Sequence, residues 1–128
     1  MEKEGVVSLW LGNFGEEEEL EFILTVPYTD DGDFIPSTFA KLFEIERYDD
    51  AVREAEYYEE CTHDLLHLLE GFSYDEIIIP RFAELLKNRH SQDYNAAILL
   101  YNFEYTGNIQ ETEWQSKPIH FFGAVEYL

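Results

Sequence analysis

Two histidines four residues apart, His63 and His67, share one face of any helix that carries them, which is the spacing of a zinc pair, and Cys61 stands close by. A metalloprotease helix needs glutamate directly after its first histidine as general base. Here Asp64 holds that position with a shorter reach, and no third ligand follows at a helpful distance. Two ordinary, partly exposed histidines are the plainer reading, so neither a metal nor another cofactor is expected. The alternative chemistry is a small hydrolase using His63, His67 and neighbouring carboxylates. Asp30, Asp31 and Asp33 around Gly32 invite a calcium reading but fail the EF-hand order, in which the glycine follows three alternating ligands and a glutamate closes the loop. They read as an exposed Asx-rich turn.

Binding chemistry is better represented than catalysis. Residues 48–60 alternate aromatic rings with carboxylates, so the segment offers acidic groups to a partner while its tyrosines supply flat contact area at low entropic cost. The 128-residue chain has a formal net charge of −20. Ordinary solubility does not require so much, and self-repulsion of that order destabilises a compact state. Residues 1–63 hold 18 acids against 4 bases, giving −14, and residues 64–128 hold 10 against 4, giving −6, so the first half builds most of the acidic surface. Direct nucleic-acid binding is disfavoured because phosphate contacts need Lys and Arg clusters. A basic protein partner is favoured.

The elements that must position these groups follow from pattern. With 45% hydrophobic residues the chain is expected to fold as a single domain over residues 1–128. Cys61 alone cannot form an internal disulfide, no apolar run reaches membrane-spanning length, and the Met-Glu-Lys-Glu start lacks a signal-peptide pattern, so a cytoplasmic location is expected. Residues 6–14 predict a buried strand ending at Gly12-Asn13, and 16–25 a short helix opened by four glutamates at the positive end of its dipole. Residues 27–36 read as a loop, after which Ser37 caps a helix reaching about residue 45.

Periodicity leaves 48–60 open between helix and strand. Tyr57-Tyr58 and the repulsive Glu56/Glu60 spacing of a helix favour an irregular entry followed by an edge strand over 53–59. Residues 62–70 predict an amphipathic helix capped by Thr62 and stopped by Gly71. Ser73 through Glu76 fits a capping box opening the next helix, with Pro80 able to bend it and Arg81, Lys87 and Arg89 complementing its C-terminal dipole. Residues 96–105 predict a central strand, 106–117 a connecting loop, and 118–128 a last strand antiparallel to its predecessor across a long hairpin. The fold class is therefore α+β, with a mixed or antiparallel sheet of about four strands and helices packed on one face.

Several pieces of the first 80 residues carry a resemblance. Val-Ser-Leu-Trp-Leu-Gly-Asn-Phe and the following Glu-Glu-Glu-Leu, Asp-Gly-Asp-Phe-Ile-Pro-Ser-Thr-Phe, Tyr48-Asp49-Asp50 with Glu54-Ala55, and Leu69-Glu-Gly-Phe-Ser-Tyr74 resemble the immunity protein 22 family. Val52 stands where that pattern has an aromatic and Ala51 where it has an acid, a departure consistent with a different cognate toxin. The resemblance implies a bacterial immunity protein of a polymorphic or contact-dependent toxin system, without enzymatic activity of its own, that neutralises a toxin by binding it.

Charge suggests how. Many toxin domains are nucleases with basic clefts, and an acidic inhibitor can occupy such a cleft and be steered to it quickly. On this reading Asp49, Asp50, Glu54, Glu56, Glu59 and Glu60 are charge contacts, Tyr48, Tyr57 and Tyr58 are aromatic contacts, and Asp30, Asp31 and Asp33 form a second patch. The competing reading is an acidic protein-binding or nucleic-acid-mimic regulatory domain with no linked toxin. A neighbouring toxin gene separates the two.

Overall fold

Strands buried on both faces read as near-continuous apolar runs, and residues 6–12 form one: every residue from Val6 to Gly12 is buried. The computed structural model describes residues 1–27, 35–87 and 92–128. Along them run β1 (Glu2–Gly12), α1 (Glu17–Leu24), α2 (Thr38–Leu42), a 3₁₀ turn (Asp50–Val52), β2 (Arg53–Thr62), α3 (Leu65–Leu69), α4 (Asp75–Leu86), β3 (Tyr94–Phe103), β4 (Glu111–Trp114) and β5 (Lys117–Glu126). The strands form one antiparallel sheet in the order β2-β3-β1-β5-β4. The α+β class is as expected, with five strands rather than about four.

Helices cover both faces of this sheet, not the single face expected. Trp10 of β1 and Ile98 and Leu100 of β3 pack with Leu20, Ile23 and Leu24 of α1 and Phe39 of α2. Val7, Leu9 and Leu11 of the same β1 point the other way, with Leu99, to Leu68 and Leu69 of α3 and Ile78 and Phe82 of α4. The unbroken apolar run in β1 is the physical reason, since a sheet with one wet face would alternate. Trp10 anchors the first layer with ring centroids 5.0 Å from Phe39, 5.2 Å from Phe121 and 5.6 Å from Tyr105. Ser8, the buried polar residue of β1, donates to Phe103 O at 2.8 Å and accepts from Tyr105 N at 3.0 Å.

Local chemistry sets the helix starts. Glu19 accepts from the amides of Gly15 at 2.7 Å and Glu16 at 3.0 Å, and its other carboxylate oxygen takes Lys117 Nζ. Ser37 caps α2 by accepting from Ala40 N at 3.1 Å. Asp64 rather than Thr62 caps α3, accepting from Leu66 N at 3.1 Å, because Thr62 still belongs to β2. The expected capping box at α4 does not form: Tyr74, at φ 62°, precedes the helix, and Ser73 is drawn to Glu54.

The C-terminal sheet differs from expectation in two ways. The segment predicted as a loop over 106–117 contains β4, and β5 pairs with β1 and β4 rather than with β3. Gln115 and Ser116, at φ 50° and 67°, make the two-residue turn that closes the β4–β5 hairpin. Gly123 sits at a bulge in β5 where a Cβ would lie 2.4 Å from Leu85 Cδ2, so the missing side chain leaves room for the end of Leu85 from α4.

Candidate functional site

The carboxylate-rich segment is an edge strand, as its composition predicts, and its entry is the 3₁₀ turn. Asp49 accepts from Ala51 N at 2.9 Å and Asp50 pairs with Arg53 at 2.8 Å, so both aspartates brace the turn. Tyr48 is half-buried, its ring edge-on to Phe39 and its hydroxyl 3.2 Å from Ser37 Oγ; burial pushes this phenol's pKa up. These three residues also line a cleft of about 650 Å³ with Arg47, Tyr101 and Asn102.

Along β2 the side chains alternate between the two helical layers. Tyr57 packs against the Trp10 layer and donates to Gly15 O at 3.2 Å. Tyr58 packs against the opposite layer, donates to Leu68 O at 3.2 Å and lies 4.9 Å from the His67 ring. Both tyrosines thereby fasten helical segments to the edge strand. Glu54 accepts from the amide and hydroxyl of Ser73.

Glu56, Glu59 and Glu60 are different: all three are exposed, and their side chains have no hydrogen bond or ion pair among the described residues. The register explains their display. Tyr57 pairs with Ala96 and the next pair is Thr62 with Tyr94, so residues 58–61 arch out of the ladder and carry Glu59, Glu60 and Cys61 into solvent. Asp30, Asp31 and Asp33 lie outside the described residues, as does Arg89.

Beside this edge runs a feature not anticipated from the sequence. Glu17 and Glu21 of α1 share a groove of about 390 Å³ with Glu56 and Tyr57 of β2, floored by Leu20, Leu24 and Ala55. Arg53 is the base on its wall and is already engaged by Asp50. The i,i+4 spacing of Glu17 and Glu21 places both on one helical flank and was the available signal.

The histidines do not converge. His63 Nδ1 lies 3.0 Å from Asp93 Oδ1, while the His67 ring packs on Tyr58. No group of three or more His, Cys, Asp or Glu among the described residues is placed to hold a metal ion. Arg81 donates to Glu126 O at 2.7 Å and Lys87 pairs with Glu84. No helix among the described residues is long and apolar enough to cross a membrane.

An acidic α+β sheet that displays carboxylates along a bulged edge has the makeup of a protein-binding domain. The chain belongs to the Immunity protein 22 family, whose profile matches residues 7–127. No curated protein and no solved structure matches it. Family membership points to a toxin-neutralising role exercised by binding a cognate toxin protein.

Proposed function

We propose that this protein neutralises its cognate toxin by laying the acidic β2 edge and the adjoining flank of α1 over a basic cleft, the cleft being the active site of a nuclease domain. The observation that carries this is the run of exposed carboxylates along the β2 edge, Glu56, Glu59 and Glu60, whose side chains lack partners among the described residues, beside the groove that this edge shares with Glu17 and Glu21 of α1. Carboxylates without cationic partners are the ones a cationic cleft can engage at no cost in broken ion pairs, and they steer encounter at long range. Tyr48, Asp49, Asp50, Glu54, Tyr57 and Tyr58 then act behind this front, holding the strand and its turn in shape. The bulge at 58–61 serves the same end, because it discourages other strands from adding to the edge while presenting Glu59 and Glu60.

Co-purification with the product of the neighbouring toxin gene, at low and at moderate salt, tests the proposal. A tight complex that weakens as salt rises supports it. Absence of a complex at both salts overturns it in favour of an acidic binding domain without a linked toxin.

A further inference from the structure

Phe22 of α1 is 60% exposed, the most exposed aromatic side chain among the described large apolar residues, although the other outward positions of this helix are glutamates. It does not stand alone. Its ring stacks on Trp114 of β4, centroids 5.7 Å apart and planes 29° from parallel. Trp114 is held in turn: Lys117 Nζ lies 5.4 Å from its ring, and the same Nζ is fixed by Glu19 at the head of α1. Two aromatic rings, from a helix and from the edge strand β4, are thus pinned side by side at the surface before any partner arrives.

The exposed Phe22 ring, braced by the half-buried Trp114, leaves apolar area in water, and rigid aromatic anchors of this kind concentrate binding energy in protein interfaces. The surroundings indicate what would cover it. Glu18 lies one turn before Phe22 on the same flank of α1, and the local base, Lys117, is already matched by Glu19. The rim is therefore anionic around a π face, which is the combination that attracts a guanidinium or ammonium group, arginine most of all because its plane stacks on an aromatic ring. Leu66 of α3, 54% exposed, is aliphatic and has no π face for a cation.

We propose that the Phe22–Trp114 pair is the anchor of the toxin interface and seats an arginine or lysine side chain of the toxin, with Glu18 completing its charge. This rests on the toxin-binding reading above and extends the contact surface from the β2 edge across α1 to β4. The pair would supply short-range affinity, while the unpartnered carboxylates of β2 and α1 supply steering.

Isothermal titration against the product of the neighbouring toxin gene, inactivated by mutation, tests this with four variants whose folding is checked by circular dichroism. Phe22→Ala is expected to weaken binding roughly tenfold or more, Phe22→Leu nearly as much, Phe22→Tyr little, and the control Leu66→Ala not at all. Binding restored by Phe22→Leu would show an apolar occupant and overturn the proposal. A complex formed by the wild-type chain but unaffected by Phe22→Ala would overturn the anchor alone and leave the interface on β2. No complex with the wild-type chain would overturn the toxin-binding reading as well.

Discussion

Glu54 on the edge strand grips Ser73 at the foot of α4 by two bonds at once, accepting from its backbone amide at 2.9 Å and from its hydroxyl. This arrangement takes the serine away from the capping box it would otherwise form and ties β2 to the layer of α3 and α4. Replacing Glu54 by alanine should therefore lower stability by about 1 kcal/mol, the ordinary net value of such bonds at a partly exposed site. Chemical denaturation would read this, and toxin affinity should change little. A loss of affinity without a loss of stability would move Glu54 into the contact surface.

Charge reversal at the free carboxylates should act on kinetics. Glu56→Lys with Glu59→Lys is expected to slow association with the toxin and flatten its dependence on ionic strength, with a smaller effect on dissociation. Stopped-flow or surface-based kinetics at two salt concentrations would decide, and unchanged association rates would remove this edge from the encounter surface.

Glu19 carries a pH signature. Lys117 beside it holds its carboxyl below the ordinary value of 4.5. The bond's contribution to stability is therefore complete above that value and is lost as pH falls through the lower folded-state pKa. Glu19→Gln keeps the carbonyl that serves the Gly15 and Glu16 amides but removes the charge facing Lys117. The variant should melt below the wild type at neutral pH, and the gap should close below pH 4.5.

At the alkaline end the sign reverses. Burial pushes the Tyr94 phenol from its ordinary 10.0 up to about 12. The folded state thus holds this proton more tightly, and stability complete below pH 10 should drain away between 10 and 12. Tyr94→Phe should make that decline shallower while costing the bonds to Gln92 and His120, each 2.9 Å long. Other buried phenols, Tyr101 among them, should leave part of the slope in place.

Trp10 is fully buried among five aromatic rings. Its replacement by alanine should cost about 3–5 kcal/mol, and by phenylalanine less, because the neighbours cannot collapse into the space of an indole. Thermal denaturation measures both.

What could be read from the sequence was what local chemistry decides. Ser37 as a cap, the glutamates opening α1, the glycine stop at Gly71 and the apolar runs of β1 and β3 each declare themselves within a few residues. The edge position of β2 was legible because Glu54, Glu56, Glu59 and Glu60 make a poor interior strand. Glu111 to Trp114 hid as a loop because the turn that pairs them uses Gln115 and Ser116 at positive φ, where no glycine or asparagine announces it. The hydrogen bonds of Tyr48, Tyr57 and Tyr58 were hidden too, since their partners Ser37, Gly15 and Leu68 come from other elements. The pairing of Phe22 with Trp114 lies furthest beyond local reading, because it needs the whole chain between them to fold.

The place of β1 at the centre of the sheet has a consequence for timing. The first strand of the sheet has its two neighbours, β3 and β5, about 90 residues or more further along the chain. Val7 meets Tyr101 on one side and Val125 on the other, so closing these loops carries a large entropic cost that no early contact offsets. The sheet cannot nucleate around its own middle until β3 has been synthesised. Until then β2, which pairs with β3, has no strand to hold it at the edge of the sheet.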